Sequence, residues 1–200
     1  MKQQAVNPYL PLDEYVPDGE PRVFEDRLYI FGSHDRSHGR KFCMNDYVGW
    51  SAPCNNLADW RYEGVIYRKT DDPNNIEKES MYAPDVVRGP DGNYYMFYGH
   101  GSRKPPEEWQ IHVAVCNKPT GRYQYYGTID LSAWKERYFP FDPAVLVDDD
   151  QRVWLYYGFG SGDWRKGNKG CGGAVVELAS DMKTVVSEPK ATLPNKYSNT

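Results

Sequence analysis

The 200-residue chain is 40% hydrophobic and 26% charged, at a length where about 70% of the unfolded surface is buried on folding, so it belongs with globular and not disordered proteins. A net charge of -4 and a pI near 5.6 leave no basic surplus for phosphates, which excludes nucleic acid as a partner and suits a neutral or acidic substrate. No stretch approaches the roughly 18–20 apolar residues of a membrane span, so no membrane partner is expected.

The N-terminal MKQQAVNPYLPLDEY carries one Lys and no apolar run behind it, so it is not a signal peptide. The expected location is cytoplasmic, or secreted or periplasmic if a leader has been removed. Beyond it, three segments repeat one pattern of acid, Pro, apolar run, turn and aromatic strand. They begin at Glu20-Pro21, at Pro84-Asp85 and at Asp142-Pro143, with Pro21, Pro84 and Pro143 separated by 63 and 59 residues. The turns fall at Glu25-Asp26, at Pro90-Asp91-Gly92-Asn93 and at Asp148-Asp149-Asp150. Asp, Asn and Gly tolerate the positive φ that a tight hairpin needs, so each unit opens with a β-hairpin.

Further strands are predicted around Tyr47 to Ala52 and Trp60 to Tyr67, Ile111 to Cys116 and Tyr123 to Ile129, then Gly173 to Leu178 and Thr184 to Val186. Four strands per unit of about 60 residues is the arithmetic of a propeller blade with long loops. The fold is therefore predicted all-β, with blades over about 17–69, 81–130 and 139–190 and a polar loop from Thr70 to Ser80. A β-sandwich would not explain an acid fixed beside Pro at the start of each repeat.

Tyr 17, Trp 6 and Phe 7 make up 15% of the chain, and rings of this kind stack on the C–H face of a sugar as readily as they suit strands. Trp50, Trp109 and Trp164 are candidates for such stacking. Repetition would bring Glu20, Asp85 and Asp142 around the axis from one face. A carboxylate ring of this kind fits inverting glycoside hydrolysis, which needs a base for water and an acid for the leaving oxygen, about 6.5–9.5 Å apart.

The run Tyr82-Ala83-Pro84-Asp85-Val86 resembles the W/Y-A-P-D-V motif of glycoside hydrolase family 43. Phe141-Asp142-Pro143-Ala144, with its Asp turn and Trp-Leu-Tyr-Tyr-Gly, is similar to that family's third-blade strand pair. The resemblance spans essentially the whole chain and implies a five-bladed β-propeller, of which these residues supply about three blades, with α-L-arabinofuranosidase or β-xylosidase activity. It implies that Asp85 orients the general acid and adjusts its pKa, and that a first-blade acid is the general base. That base is Glu20 by alignment with the Pro, with Asp18 as the rival by residue type. Asp35, His34, Tyr82, His100 and Asp142 are the expected sugar-binding positions. The family's general acid, a Glu, falls in a later blade. Glu188 is the weak candidate within these residues, and its context does not match.

The family's frequent calcium at the propeller axis carries over without a ligand set, and no cofactor is required. Asp148-Asp149-Asp150 lacks the spaced ligands of a calcium loop. Cys43, Cys54, Cys116 and Cys171 have no zinc spacing and read as free thiols. An open stack of three blades would expose apolar faces, so completion by a further C-terminal segment, or self-association, is expected. The rival reading is a carbohydrate-binding propeller fragment without turnover.

Overall fold

The computed structural model describes residues 7–75, 79–101, 109–159 and 172–192. Three four-stranded antiparallel sheets follow one another along the chain. The first contains β1 (Glu20–Phe24), β2 (Arg27–Phe31), β3 (Tyr47–Pro53) and β4 (Arg61–Tyr67). The second contains β5 (Tyr82–Arg88), β6 (Tyr94–His100), β7 (Gln110–Cys116) and β8 (Gln124–Ile129). The third contains β9 (Ala144–Val147), β10 (Val153–Phe159), β11 (Gly172–Leu178) and β12 (Lys190–Thr192). Each sheet is a meander in sequence order, which is the construction of a propeller blade. Among the described residues the helical content is one 3-10 turn, Lys69–Asp71, and no helix is long and apolar enough to cross a membrane.

The predicted turns close the inner hairpins. Phe24 pairs with Arg27 around Glu25, which sits at φ 57°. Asp91 holds its turn by accepting from the Asn93 backbone and side chain and from the Tyr95 hydroxyl at 2.8 Å. The first Asp of the triple-Asp turn does the same in blade three, where Asp148 accepts from the amides of Asp150 and Arg152 and from the Trp154 indole. The one displaced strand is the last. Thr184–Val186 makes only an isolated bridge from Val185 to Leu178, because Asp181 accepts from the Lys183 and Thr184 amides and the Thr184 hydroxyl and folds that segment into a turn. The edge strand of blade three is instead Lys190–Thr192.

Packing between blades follows from the period-two alternation of the strands. On β5 and β6 of the middle blade, Val86, Tyr94, Met96 and Tyr98 face blade one, where they meet Tyr29, Phe31, Tyr47, Ile66 and Tyr67. Their alternates Val87, Tyr95 and Phe97 face blade three, where they meet Val145, Val153, Leu155 and Tyr157. β6 is accordingly buried along its whole length. The outer face of blade one is partly covered by Leu10 and Val16 of the N-terminal segment, which with Trp60, just before β4, pack against Ile30, Val48 and Trp50. Blade three leaves Leu146 and Tyr156 exposed on its open face. Cys43 is buried, Cys54 exposed and Cys116 between the two, all as free thiols. Cys171 and Trp164 lie outside the described residues.

The three inner strands are joined at one point. The Arg22 guanidinium on β1 holds the Asp85 carboxylate on β5 through two bonds of 2.8 and 2.5 Å, and the same carboxylate accepts the Val145 amide of β9 at 2.7 Å. Arg22 also donates to the Val145 carbonyl at 3.2 Å. The Asp85 side chain is 0% exposed and that of Arg22 28%. Removing one member of a buried pair leaves the other uncompensated, so Arg22→Ala is expected to cost about 3–5 kcal/mol in urea denaturation. The double variant Arg22→Leu/Asp85→Leu is expected to recover part of that loss, and a single variant within about 0.5 kcal/mol of wild type would refute the bracing role.

Candidate active site

Each inner strand is entered through a residue in the left-handed region: Asp18 at φ 55°, Ala83 at φ 41° and Asp142 at φ 45°. Asp tolerates that conformation, whereas Ala does so only where the surroundings enforce it. Ser33, fully buried just beyond β2, supplies the restraint. Its hydroxyl accepts the Ala83 amide at 2.8 Å and donates to Asp18 Oδ2 at 3.1 Å. The entries to blades one and two are thereby locked to each other.

Asp18 and Asp142 form the carboxylate pair of this face. Burial pushes the Asp142 carboxyl up to about 6, and the charge of Asp18 adds to the rise. Asp142 is nonetheless an exposed residue, so solvent reaches its carboxyl. Beside Asp18, the Cys43 thiol is pushed up to about 11, chiefly by burial, against a lowering hydrogen bond from Ser33. The Tyr47 hydroxyl, also near Asp18, is fully buried and has no hydrogen-bond partner among the described residues. On the other flank an aromatic wall adjoins Asp142. Tyr82 packs on Trp109 and Phe141 with ring centroids 5.5 and 5.6 Å apart, and Trp109 meets Phe141 edge-on at 5.1 Å.

The positions singled out in the sequence separate into three groups. Asp18, Asp142 and Tyr82 lie on the axial face just described. Glu20 is exposed at the first position of β1, opposite Phe31. Asp85 is buried in the seam between blades with its oxygens occupied by Arg22 and Val145. His34 is clamped between the Asp46 carbonyl at 2.6 Å and Glu14 at 2.7 Å, and Asp35 accepts the Cys43 amide at 2.6 Å. Glu188 accepts the Trp134 indole at 3.1 Å just before β12, three strands out from β9. Of the candidate tryptophans, Trp50 is 7% exposed and donates its indole N–H to Glu14, whereas Trp109 packs on Tyr82 and Phe141 in the aromatic wall.

His100 lies off the axis, beside His112 and Asp72, and these are the one trio of potential metal ligands that comes together among the described residues. Burial pushes His112 down to about 4, with Asp72 opposing, and lowers His100 as well. Sequence reasoning missed Arg22, Ser33, Asp72 and His112. The Pro21-Arg22 step, one residue after the repeated Pro as Asp85 follows Pro84, was the available signal for the first of these.

Comparison with known proteins places this geometry in context. The sequence profile described as glycosyl hydrolases family 43 matches residues 21–200. A xylosidase/arabinosidase from Thermoclostridium stercorarium is 49% identical over 98% of this chain and 41% of its own length. Xylosidase/arabinosidase 43A from Humicola insolens is 33% identical over 72% of this chain and 43% of its own length. The chain thus spans less than half of these relatives. Among solved structures, a family 43 β-xylosidase/α-arabinofuranosidase from a compost microbial metagenome, in complex with xylotriose, superposes with a TM-score of 0.73 at 23% identity. That match covers 94% of this chain and 62% of the other. A Xanthomonas citri enzyme complexed with xylotriose gives a TM-score of 0.73 at 23% identity, over 92% and 56% of the two chains. These neighbours fix the fold as part of a propeller of the five-bladed kind.

The raised Asp142 carboxyl makes a signed prediction. Its proton is held more tightly in the folded chain, at about 6, than at the ordinary value of 3.8. The native state therefore gains stability as pH falls through about 6, fully so below the ordinary value, and loses it as pH rises. Asp142→Asn removes this dependence. The variant is expected to melt above wild type at about pH 8, and the two are expected to converge below about pH 4. A melting difference that is flat across this range would overturn the assignment.

Proposed function

Because the chain belongs to glycosyl hydrolase family 43, as the match over residues 21–200 establishes, we propose that it forms the first three blades of a glycosidase that removes xylosyl or arabinofuranosyl units by inversion. The observation that carries this reading is the Asp18–Asp142 pair on the axial face, with the Asp142 carboxyl raised to about 6. Two carboxyl groups whose surroundings separate their proton affinities can take different roles at one pH. The xylosidase/arabinosidase names of the matched relatives support the substrate class.

Asp18 is assigned as the general base. It sits at the entry to the inner strand of blade one, and its hydrogen bond from Ser33 fixes the orientation of one oxygen while the other stays available to a water. Inversion requires that this water attack the anomeric carbon from the side opposite the leaving oxygen as Asp18 accepts its proton. Asp142 is assigned to positioning: it accepts hydrogen bonds from sugar or from the protonated acid, and its partial protonation near neutral pH tunes that acid. The resemblance gave the orienting role to Asp85, but a carboxylate fully enclosed by Arg22 and the Val145 amide supports bracing instead. Glu20, exposed on β1, remains the rival base. Tyr82 and Trp109 supply a surface on which the C–H face of a pentose can stack. The protonated leaving-group acid is assigned to no residue of blades one to three, and an axial calcium, if bound, to no ligand among them.

Steady-state kinetics on chromogenic xyloside and arabinofuranoside with the complete polypeptide test the assignment. Asp18→Asn is expected to lower kcat by about 10²–10⁴-fold with KM little changed, the range for a positioned acid or base, while Glu20→Gln stays within about tenfold. The reverse pattern makes Glu20 the base. Sugar binding with no hydrolysis by the wild-type polypeptide would establish the non-catalytic reading.

A further inference from the structure

A second constellation lies between blades one and two, away from the axial carboxylates. From its geometry we propose that Asp72, His100 and His112 form a binding site for a single zinc-type divalent cation, which fastens the linker leaving blade one to the two middle strands of blade two. One ligand atom from each of the three residues lies within 4.8 Å of the other two, and the residues are 3%, 7% and 1% exposed. Zinc bonds to N and O are about 2.0–2.2 Å, which sets tetrahedral ligand atoms about 3.4 Å apart, so a bound ion would draw the three side chains together.

The strand register explains the convergence. Tyr98 on β6 pairs with His112 on β7, and His112 pairs with Thr128 on β8. His100 follows Tyr98 by two residues and so points from the same face of the sheet. Asp72 arrives from the linker directly after the 3-10 turn Lys69–Asp71.

The second layer of contacts suits a metal site. His112 Nδ1 bonds the Thr128 hydroxyl at 2.9 Å, and that hydroxyl pairs with the Tyr125 hydroxyl at 2.7 Å. With Nδ1–H donating to Thr128, the lone pair of Nε2 is presented as a ligand, which is how an outer hydrogen bond sets the tautomer of a metal-bound histidine. Asp72 is oriented by the Tyr98 hydroxyl at 2.7 Å and by the Asn74 amide at 2.8 Å. The Asn74 side-chain amide also reaches Asp72 Oδ1, at 3.1 Å, so Oδ1 is filled, while Oδ2, bonded by Tyr98, retains a lone pair for a cation.

Charge supplies an independent argument. Among the described residues no Lys or Arg pairs with Asp72, whereas its neighbour Asp71 has Arg122. A buried carboxylate without a cation is costly, and a divalent ion offsets that cost. Two imidazoles and one carboxylate match the preference of zinc and of neighbouring late transition metals. They do not match calcium, which takes six to eight oxygens. Three protein ligands leave the fourth position to water.

The site does not depend on the proposed hydrolysis, and its test is separate from activity. The complete polypeptide, stripped with a chelator, is titrated with Co²⁺ and followed by its visible d–d absorption, then with Zn²⁺ by calorimetry and thermal melting. One equivalent is expected to bind with a nitrogen–oxygen type spectrum, and saturating Zn²⁺ is expected to raise the melting temperature. His100→Gln and Asp72→Asn are each expected to weaken Zn²⁺ binding by at least a hundredfold. Thr128→Val removes only the orienting hydroxyl, retains the ligands, and is expected to weaken it by about 10–100-fold. If a ligand variant does not fold, Thr128→Val decides the matter. The proposal is overturned by the absence of one-to-one binding, by affinity unchanged in the folded variants, or by an intense sulfur charge-transfer band that moves the metal to the cysteines.

Discussion

The axis of this molecule depends on the Asp85 carboxylate, which with its partner Arg22 touches the inner strands of all three blades. It takes two hydrogen bonds from Arg22 on β1 and one from the Val145 amide on β9. Much of the remaining contact between neighbouring blades is side-chain packing, which resists separation but tolerates sliding. A charged, directional contact in a water-free seam sets the relative height of the strands, since any slip would leave a buried carboxylate or a buried amide unpaired.

That fixed height is what lets Asp18 and Asp142 sense each other. The two residues enter their strands from different blades, and neither is held by the other. Asp18 is held by Ser33, which also holds the Ala83 amide at the entry to blade two. Asp142 lies three residues before Val145, whose amide is the one Asp85 accepts. The separation of roles follows from burial: the carboxylate that braces the seam is sealed from solvent, and the pair that faces the axis retains access to water. The same residue type does mechanical work in one place and is left chemically available in the other.

The blades were legible in the sequence because each one repeats a Pro, an apolar run, an Asp or Gly turn and an aromatic strand, and because the turn residues have a mechanism that acts locally. The last strand was not legible. Thr184-Val185-Val186 has a strand-like composition, but the carboxylate of Asp181 captures the Thr184 amide and hydroxyl, while the polar Lys190–Thr192 pairs with β11. The repeat grouped Glu20, Asp85 and Asp142, and the structure parts Asp85 from the other two for a reason of position along the strand. Glu20 and Asp142 precede the repeated Pro and Asp85 follows it, a difference of two positions that puts Asp85 inside β5 while Glu20 opens β1 and Asp142 stands before β9. His34 and His100 look equivalent in the repeat. One is clamped by Asp46 and Glu14 in blade one, and the other joins His112 and Asp72, partners from segments that the repeat does not relate.

The aromatic residues, which first suggested sugar binding, are mostly occupied elsewhere. Tyr29, Phe31, Tyr47, Tyr67, Tyr94 and Tyr98 fill the seam between blades one and two, and Tyr95, Phe97 and Tyr157 that between blades two and three. A seam built from tyrosines must also settle its hydroxyls, because each one buried without a partner costs free energy. The Tyr67 hydroxyl meets that of Tyr98 at 3.0 Å, and Tyr98 donates onward to Asp72 at 2.7 Å. The chain of donors therefore ends on a carboxylate that needs a positive partner of its own. In this way the large rings that pack the blades together lead, through one hydroxyl, to a buried charge beside two histidines. Tyr82, Trp109 and Phe141 instead form a small group of rings packed on one another next to Asp142, the surface proposed for sugar. Composition alone cannot distinguish these uses, since a ring contributes the same count whether it seals a seam or lines a site.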